Sequence, residues 1–136
     1  MKVQIEQFDK IKALLPGLFQ FEKNGFFSQA ELAITEEELL IYDDHSPDTI
    51  EGDVYGYKIK VRYPLSSVNI LTNEKIIKNN DLKEYGRLNI SFKEGESAYF
   101  YYYVSGHNKL SNFINAAISL NVKIKNRRVD FAPLAR

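Results

Sequence analysis

A chain of 136 residues is the size of one ordinary domain. Lys and Arg number 18 and Asp and Glu number 18, so the net charge is zero, which argues against a dedicated nucleic-acid binder and against a disordered chain. The lack of cysteine excludes disulfides, thiolate nucleophiles, zinc–thiolate sites and iron–sulfur clusters together.

Val3, Ile5, Phe8, Ile11, Leu14 and Leu15 fall roughly at three- and four-residue spacing. That pattern predicts an N-terminal helix over 1–16, ended by Pro16-Gly17, with 18–24 as a connection packed onto the domain. Phe26–Ile34 then alternates, and Glu38–Asp44 resumes after a short polar break, predicting a β-hairpin whose turn has no glycine. Residues 43–53 form a polar loop. Tyr55–Tyr63 is the clearest strand, with Tyr57, Ile59, Val61 and Tyr63 on one face and Lys58, Lys60 and Arg62 on the other. Pro64 ends or bends it.

Ser66–Leu71 predicts a further short strand and 72–85 a long loop. Arg87–Lys93 and Ser97–Val104 predict a second hairpin about Glu94-Gly95-Glu96. Leu110, Phe113, Ile114, Ala117 and Ile118 give a helical stripe over 107–120. Residues 122–136 are a basic tail with Lys123, Lys125, Arg127 and Arg128, read as a short strand or an extended arm. The whole chain is expected to be a single domain, with its antiparallel strands at 26–104.

No signal peptide or run of about 20 apolar residues is expected, because Glu6, Asp9, Lys10 and Lys12 interrupt the first apolar pattern. A cytoplasmic protein is the expectation. Lys outnumbers Arg 13 to 5, a usage that suggests an AT-rich bacterial source. The zero net charge conceals a split: residues 1–57 carry 12 acids and 4 bases (−8), and residues 58–136 carry 6 acids and 14 bases (+8). Charge pairing inside one fold and a surface meant for a charged partner both account for it.

Three passages resemble the pleckstrin-homology-like superfold in its bacterial, GRAM-type form. Glu31-Leu-Ala-Ile-Thr-Glu-Glu-Glu-Leu-Leu-Ile-Tyr42 is similar to its first hairpin, and Tyr63-Pro-Leu-Ser-Ser-Val-Asn-Ile70 to a following strand passage. The helix at 107–120 is similar to its capping helix, with Phe113 where eukaryotic members often carry tryptophan. Over about residues 26–120 the resemblance implies an α+β fold: a barrel of about seven antiparallel strands in two sheets, with an N-terminal helix and a C-terminal capping helix. It does not carry over the family's inositol-phosphate site, because the hairpin turn is Thr35-Glu36-Glu37-Glu38 and carboxylates repel phosphate.

The strand 97–104 is intensely aromatic. With Phe100, Tyr102 and Val104 inward, Tyr99, Tyr101 and Tyr103 form an outward stripe suited to a dimer or partner surface. A cover of Ile5, Phe8, Ile11 and Leu15 from the N-terminal helix is the competing account. Lys58, Lys60 and Arg62 either pair across strands with groups such as Glu38 and Asp44 or form an anionic-ligand patch. Asp43, Asp44, Asp48, Glu51 and Asp53 do not follow a calcium-loop pattern, and no metal or cofactor is expected. His45 and His107 have Ser46 and Ser105 nearby but no nucleophile elbow, and no catalytic residue is assigned. The expectation is therefore a non-catalytic binding module for a protein partner or a second copy of itself. A peripheral membrane or anionic-ligand binder using the basic strand and tail is the alternative, and an unrecognised enzyme a third reading.

Overall fold

The computed structural model describes residues 10–23, 25–43, 58–76, 85–103 and 107–129. In chain order the elements are β1 (Ala13–Gln20), β2 (Phe27–Ile34), β3 (Glu38–Asp43), β4 (Lys58–Pro64), β5 (Val68–Ile76), β6 (Tyr85–Phe92), β7 (Ser97–Tyr103), α1 (His107–Ser119) and β8 (Ile124–Val129). They form one open, mixed eight-stranded sheet in the order β4-β3-β2-β1-β7-β6-β5-β8, with α1 its one long helix among the described residues. Residues 1–9 lie outside the described residues, but from Ala13 onward the N-terminal helix expected over 1–16 is strand β1 instead, and the expected two-sheet antiparallel barrel is wrong. So is the capping role of the second helix, because α1 packs on β1 and β2 rather than closing the end of a barrel.

The first discrepancy lies in β1. Ala13-Leu14-Leu15 and Leu18-Phe19 give an apolar run across both faces, which suits an interior strand as well as a helix. Pro16-Gly17, expected to end a helix, lies within the strand. Pro16 pairs only with Glu31 of β2, because the ladder to β7 consists of two residue pairs, Gly17 with Tyr102 and Leu18 with Tyr101. A proline missing its N–H is tolerated where pairing is one-sided. Gly17 is required at the crossing: a Cβ there would lie 2.0 Å from the Tyr101 carbonyl oxygen.

The hairpin turn without glycine is built by a threonine. The Thr35 hydroxyl accepts hydrogen bonds from the Glu37 N–H (3.1 Å) and the Glu38 N–H (3.0 Å), so the side chain does what a special backbone angle would otherwise do. After β4, a single 3-10 turn at Leu65–Ser67 leads into β5. The sheet curls enough at this end for Tyr63 of β4 to meet Phe92 of β6, ring centroids 4.8 Å apart. Its concave side wraps one core of Leu15, Leu32, Ile34, Leu39, Ile41, Leu71, Leu88, Ile90 and Phe100, closed by Phe113 and Ala117 of α1. Ile118 falls outside that stripe and is exposed. A smaller cluster, Ala33, Leu40 and Tyr42 with Ile11, Leu14 and Ile59, covers the opposite face of β2 and β3.

β5 continues through Ile76, so Thr72–Ile76 belongs to a strand and not to a loop. The basic tail supplies β8, which pairs in parallel with β5. The reversal between α1 and β8 is a Schellman turn. Asn121 takes the left-handed conformation (φ 68°), Val122 N–H bonds the Ala117 carbonyl, and Asn121 N–H bonds that of Ile118.

Candidate functional site

Beyond Leu18 the strands β1 and β7 part, since their ladder stops there. The gap is an open groove of about 250 Å³ lined by Phe19, Gln20, Phe27, Tyr99 and Tyr101, with Ser97 and Ala98 at its edge. Its floor is held by ring contacts. Phe19 stacks on Phe100 (centroids 6.5 Å) and meets Phe21 edge-on at 5.0 Å, and Phe27 stands edge-on to Tyr101 at 5.4 Å. Such pairs add roughly 0.5–1.5 kcal/mol each beyond area burial.

Phe26, the chain neighbour of Phe27 in the groove lining, is 93% exposed. It follows a tight turn in which Gly25 N–H bonds the Glu22 carbonyl. The Gln20 side-chain amide donates to the Gly25 carbonyl at 2.7 Å, which ties the backbone carrying Phe26 to the groove wall.

The alternation expected for β7 holds, with Phe100 and Tyr102 buried on the core side and Tyr99 on the outer side at 40% exposure. The outer stripe is not uniform. Tyr101 is only 8% exposed because Phe27 stands against it, and Tyr103 is half-buried. Val104 lies outside the described residues. The expected cover from the first segment is not what buries Tyr101: Ile11 packs on β2 and β3, Leu15 belongs to the core, and Ile5 and Phe8 are outside the described residues.

Arg87 of β6 organises the rest of this face. Its guanidinium lies over the Tyr99 ring at 4.5 Å and reaches the Tyr101 hydroxyl at 3.5 Å. Its Nε donates to Oε1 of Glu74 at 2.5 Å, and Glu74 is almost fully buried on the neighbouring strand β5. Asn89 Nδ2 adds a longer contact to Glu74 Oε2, 3.4 Å. Burial works against the Arg87 charge, but the bonds to Tyr101 and Glu74 outweigh it and raise its pKa. The cation over Tyr99 is therefore permanent and locked in place.

The basic strand is partly spent on structure. Arg62 Nη1 donates to Glu38 Oε1 at 2.9 Å, a diagonal cross-strand pair that sequence reasoning anticipated. Lys60 is exposed, and Lys58 stands opposite Asp43, with its side chain outside what is described. At the acidic turn Lys12 lies 3.4 Å from Glu36, both exposed. Asp44, His45, Ser46, Asp48, Glu51, Asp53 and Ser105 lie outside the described residues, as does the side chain of His107. Among the described residues no three His, Cys, Asp or Glu side chains are grouped to hold a metal ion, and no helix is long and apolar enough to cross a membrane.

Sequence reasoning missed Phe26, Arg87 and Glu74. The crowding of Phe19, Phe21, Phe26 and Phe27 about one turn was the available signal for the first. Nothing local marks the other two, which meet across strands. No protein-family model matches this chain, and no curated protein matches it.

Proposed function

We propose that the chain is a non-catalytic binding module that acts through protein–protein contacts, and that its contact surface is the aromatic corner formed by β1, β2 and β7. The observation that carries this reading is the juxtaposition of a fully exposed phenylalanine, Phe26, with an aromatic-lined groove. A cavity of about 150 Å³ takes a benzene ring, so a groove of about 250 Å³ has room for a phenyl side chain. The corner thus carries both a projecting ring and a recess for one.

Side by side on one surface, these two features suit a two-fold contact in which each copy seats its Phe26 in the other's groove. Tyr99, held flat by Arg87, supplies an amphipathic rim of the kind enriched at interfaces. The small extent of the corner favours a weak dimer, with a dissociation constant in the range of about 1 μM to 1 mM.

Sedimentation velocity over a wide concentration range tests the proposal. The wild type is expected to shift from monomer to dimer, and Phe26→Asp and Tyr99→Glu to stay monomeric with unchanged circular dichroism. A wild type that remains monomeric at the highest concentration, or variants that still associate, would refute self-association through this corner.

A further inference from the structure

Among the described residues β8 is an end strand of the sheet, and it carries the cations Lys125 and Arg127 at alternate positions. Its parallel register places Lys125 beside Thr72 and Arg127 beside Glu74, so both project on the outer face, while Asn126 takes the other face and accepts a hydrogen bond from Asn73 Nδ2 at 3.1 Å. Lys123, two residues before Lys125, continues the row. All three cations are exposed, Arg127 with 63% of its side chain accessible. Spacing along a strand puts successive members about 6.4–6.8 Å apart.

The nearby carboxylate does not cancel them. Glu74 is engaged at 2.5 Å by Arg87 and lies 4.0 Å from Arg127, the outer limit of an ion pair. Among the described residues neither Lys123 nor Lys125 has an ion-pair partner. On the opposite end strand, β4, Arg62 is tied to Glu38, while Lys60 is exposed. Three cations of the basic C-terminal half thus stand in one row along β8.

We propose that the β8 edge receives an extended acidic segment of a partner protein, which adds as a ninth strand with acids at alternate positions facing Lys123, Lys125 and Arg127. Backbone hydrogen bonding along an open edge supplies affinity, and the row of cations at two-residue spacing supplies the selection. The same cations keep two β8 edges apart, since like charges facing one another across strands are destabilising. A linear row matched to strand spacing fits a strand-shaped ligand better than a lipid surface, where charges need only share a plane. This contact is independent of the aromatic corner.

The test uses the full chain and two fluorescein-labelled ten-residue peptides of identical composition, one alternating Glu with Thr and one with the glutamates in a single block. The alternating peptide is expected to bind at least tenfold more tightly, to lose about tenfold on Lys125→Glu and similarly on Lys123→Glu, and to weaken with salt. Its binding should slow amide exchange within Ile124–Val129. Equal affinity for both peptides, or unchanged exchange along β8, would overturn the proposal in favour of simple charge attraction. Binding to anionic phosphatidylserine vesicles but to neither peptide, lost on Lys125→Glu, would overturn it in favour of a lipid surface.

Discussion

Tyr102 of β7 donates its phenolic hydrogen bond to Asn73 of β5, reaching over the strand that separates them. The strand crossed is β6, and the residue beneath the phenol is Gly86, where a Cβ would lie 2.3 Å from the Tyr102 Cζ. Asn73 passes the chain on to Asn126 of β8. One polar line therefore runs across four adjacent strands, buried at Tyr102 and Asn73 and reaching the surface at Asn126, and the absence of a side chain at Gly86 makes room for it. Gly86→Ala is expected to destabilise the protein by about 1–3 kcal/mol, as overpacking does. Tyr102→Phe should cost roughly 1–3 kcal/mol by leaving Asn73 short of a donor. In urea unfolding the double variant should lose less than the sum of the two, because both act on the same bond.

The crossing of β1 and β7 has no such flexible neighbour. At Gly17 the obstructing atom is the backbone oxygen of Tyr101. Gly17→Ala should therefore cost about 3 kcal/mol or more. Gly95, at φ 102° with nothing within 4 Å, should lose stability only through its backbone conformation when changed to alanine, a cost on the order of 1–2 kcal/mol. Thermal unfolding of the two variants checks the ranking, and a Gly17→Ala variant as stable as Gly95→Ala would contradict it.

Two arginines paired with carboxylates should behave in opposite ways. Arg62 meets Glu38 at the surface, where such pairs contribute about 0.2–1 kcal/mol, so Arg62→Ala should barely shift the midpoint of urea unfolding. Arg87→Ala strands the buried carboxylate of Glu74 and should cost about 3–5 kcal/mol. Glu74→Gln in the Arg87→Ala background should restore part of that loss. A failure to restore any would place the cost in lost ring contacts instead.

Alkaline stability follows from two buried phenols. Burial pushes the Tyr42 hydroxyl up to about 12, and burial does the same at Tyr102 even though Asn73 pulls the other way. An unfolded tyrosine ionises at about pH 10. Both groups hold their proton more tightly in the folded state, so their contribution is complete below about pH 10 and is lost as the pH rises towards about 12. Melting temperature should fall across that interval. The last tyrosinate absorbance should appear together with the loss of circular dichroism, and ionisation of all nine tyrosines near pH 10 in a folded protein would contradict this.

The legible parts of the fold are those governed by local periodicity. β2, β3, β6, β7 and α1 lie within a few residues of where alternation and helical spacing put them. The pairing of Arg62 with Glu38 was legible too, because adjacent strands fix which charges face each other. β1 was not, since an apolar run containing Pro-Gly reads as a helix and its stop unless the one-sided pairing of Pro16 is known. Thr72–Ile76 looked like a loop because Asn73 and Glu74 are polar, and the partners that allow their burial, Tyr102 and Arg87, come from other strands. Tyr99 and Tyr101 share a face and a residue type. Only the position of Phe27, delivered by the β1–β2 hairpin, decides which of them is covered.

The narrow joint between β1 and β7 has a consequence for how the molecule is made. β1 to β4 pair in succession with near neighbours in the chain, and so do β5 to β7. Only Gly17 and Leu18, meeting Tyr102 and Tyr101, connect β1 to β7 by strand pairing. A ribosome delivers those tyrosines long after β1, so the emerging chain carries an apolar strand with one side open through most of its synthesis. Closure of that joint, a contact between distant parts of the chain, is expected to be a slow event of folding.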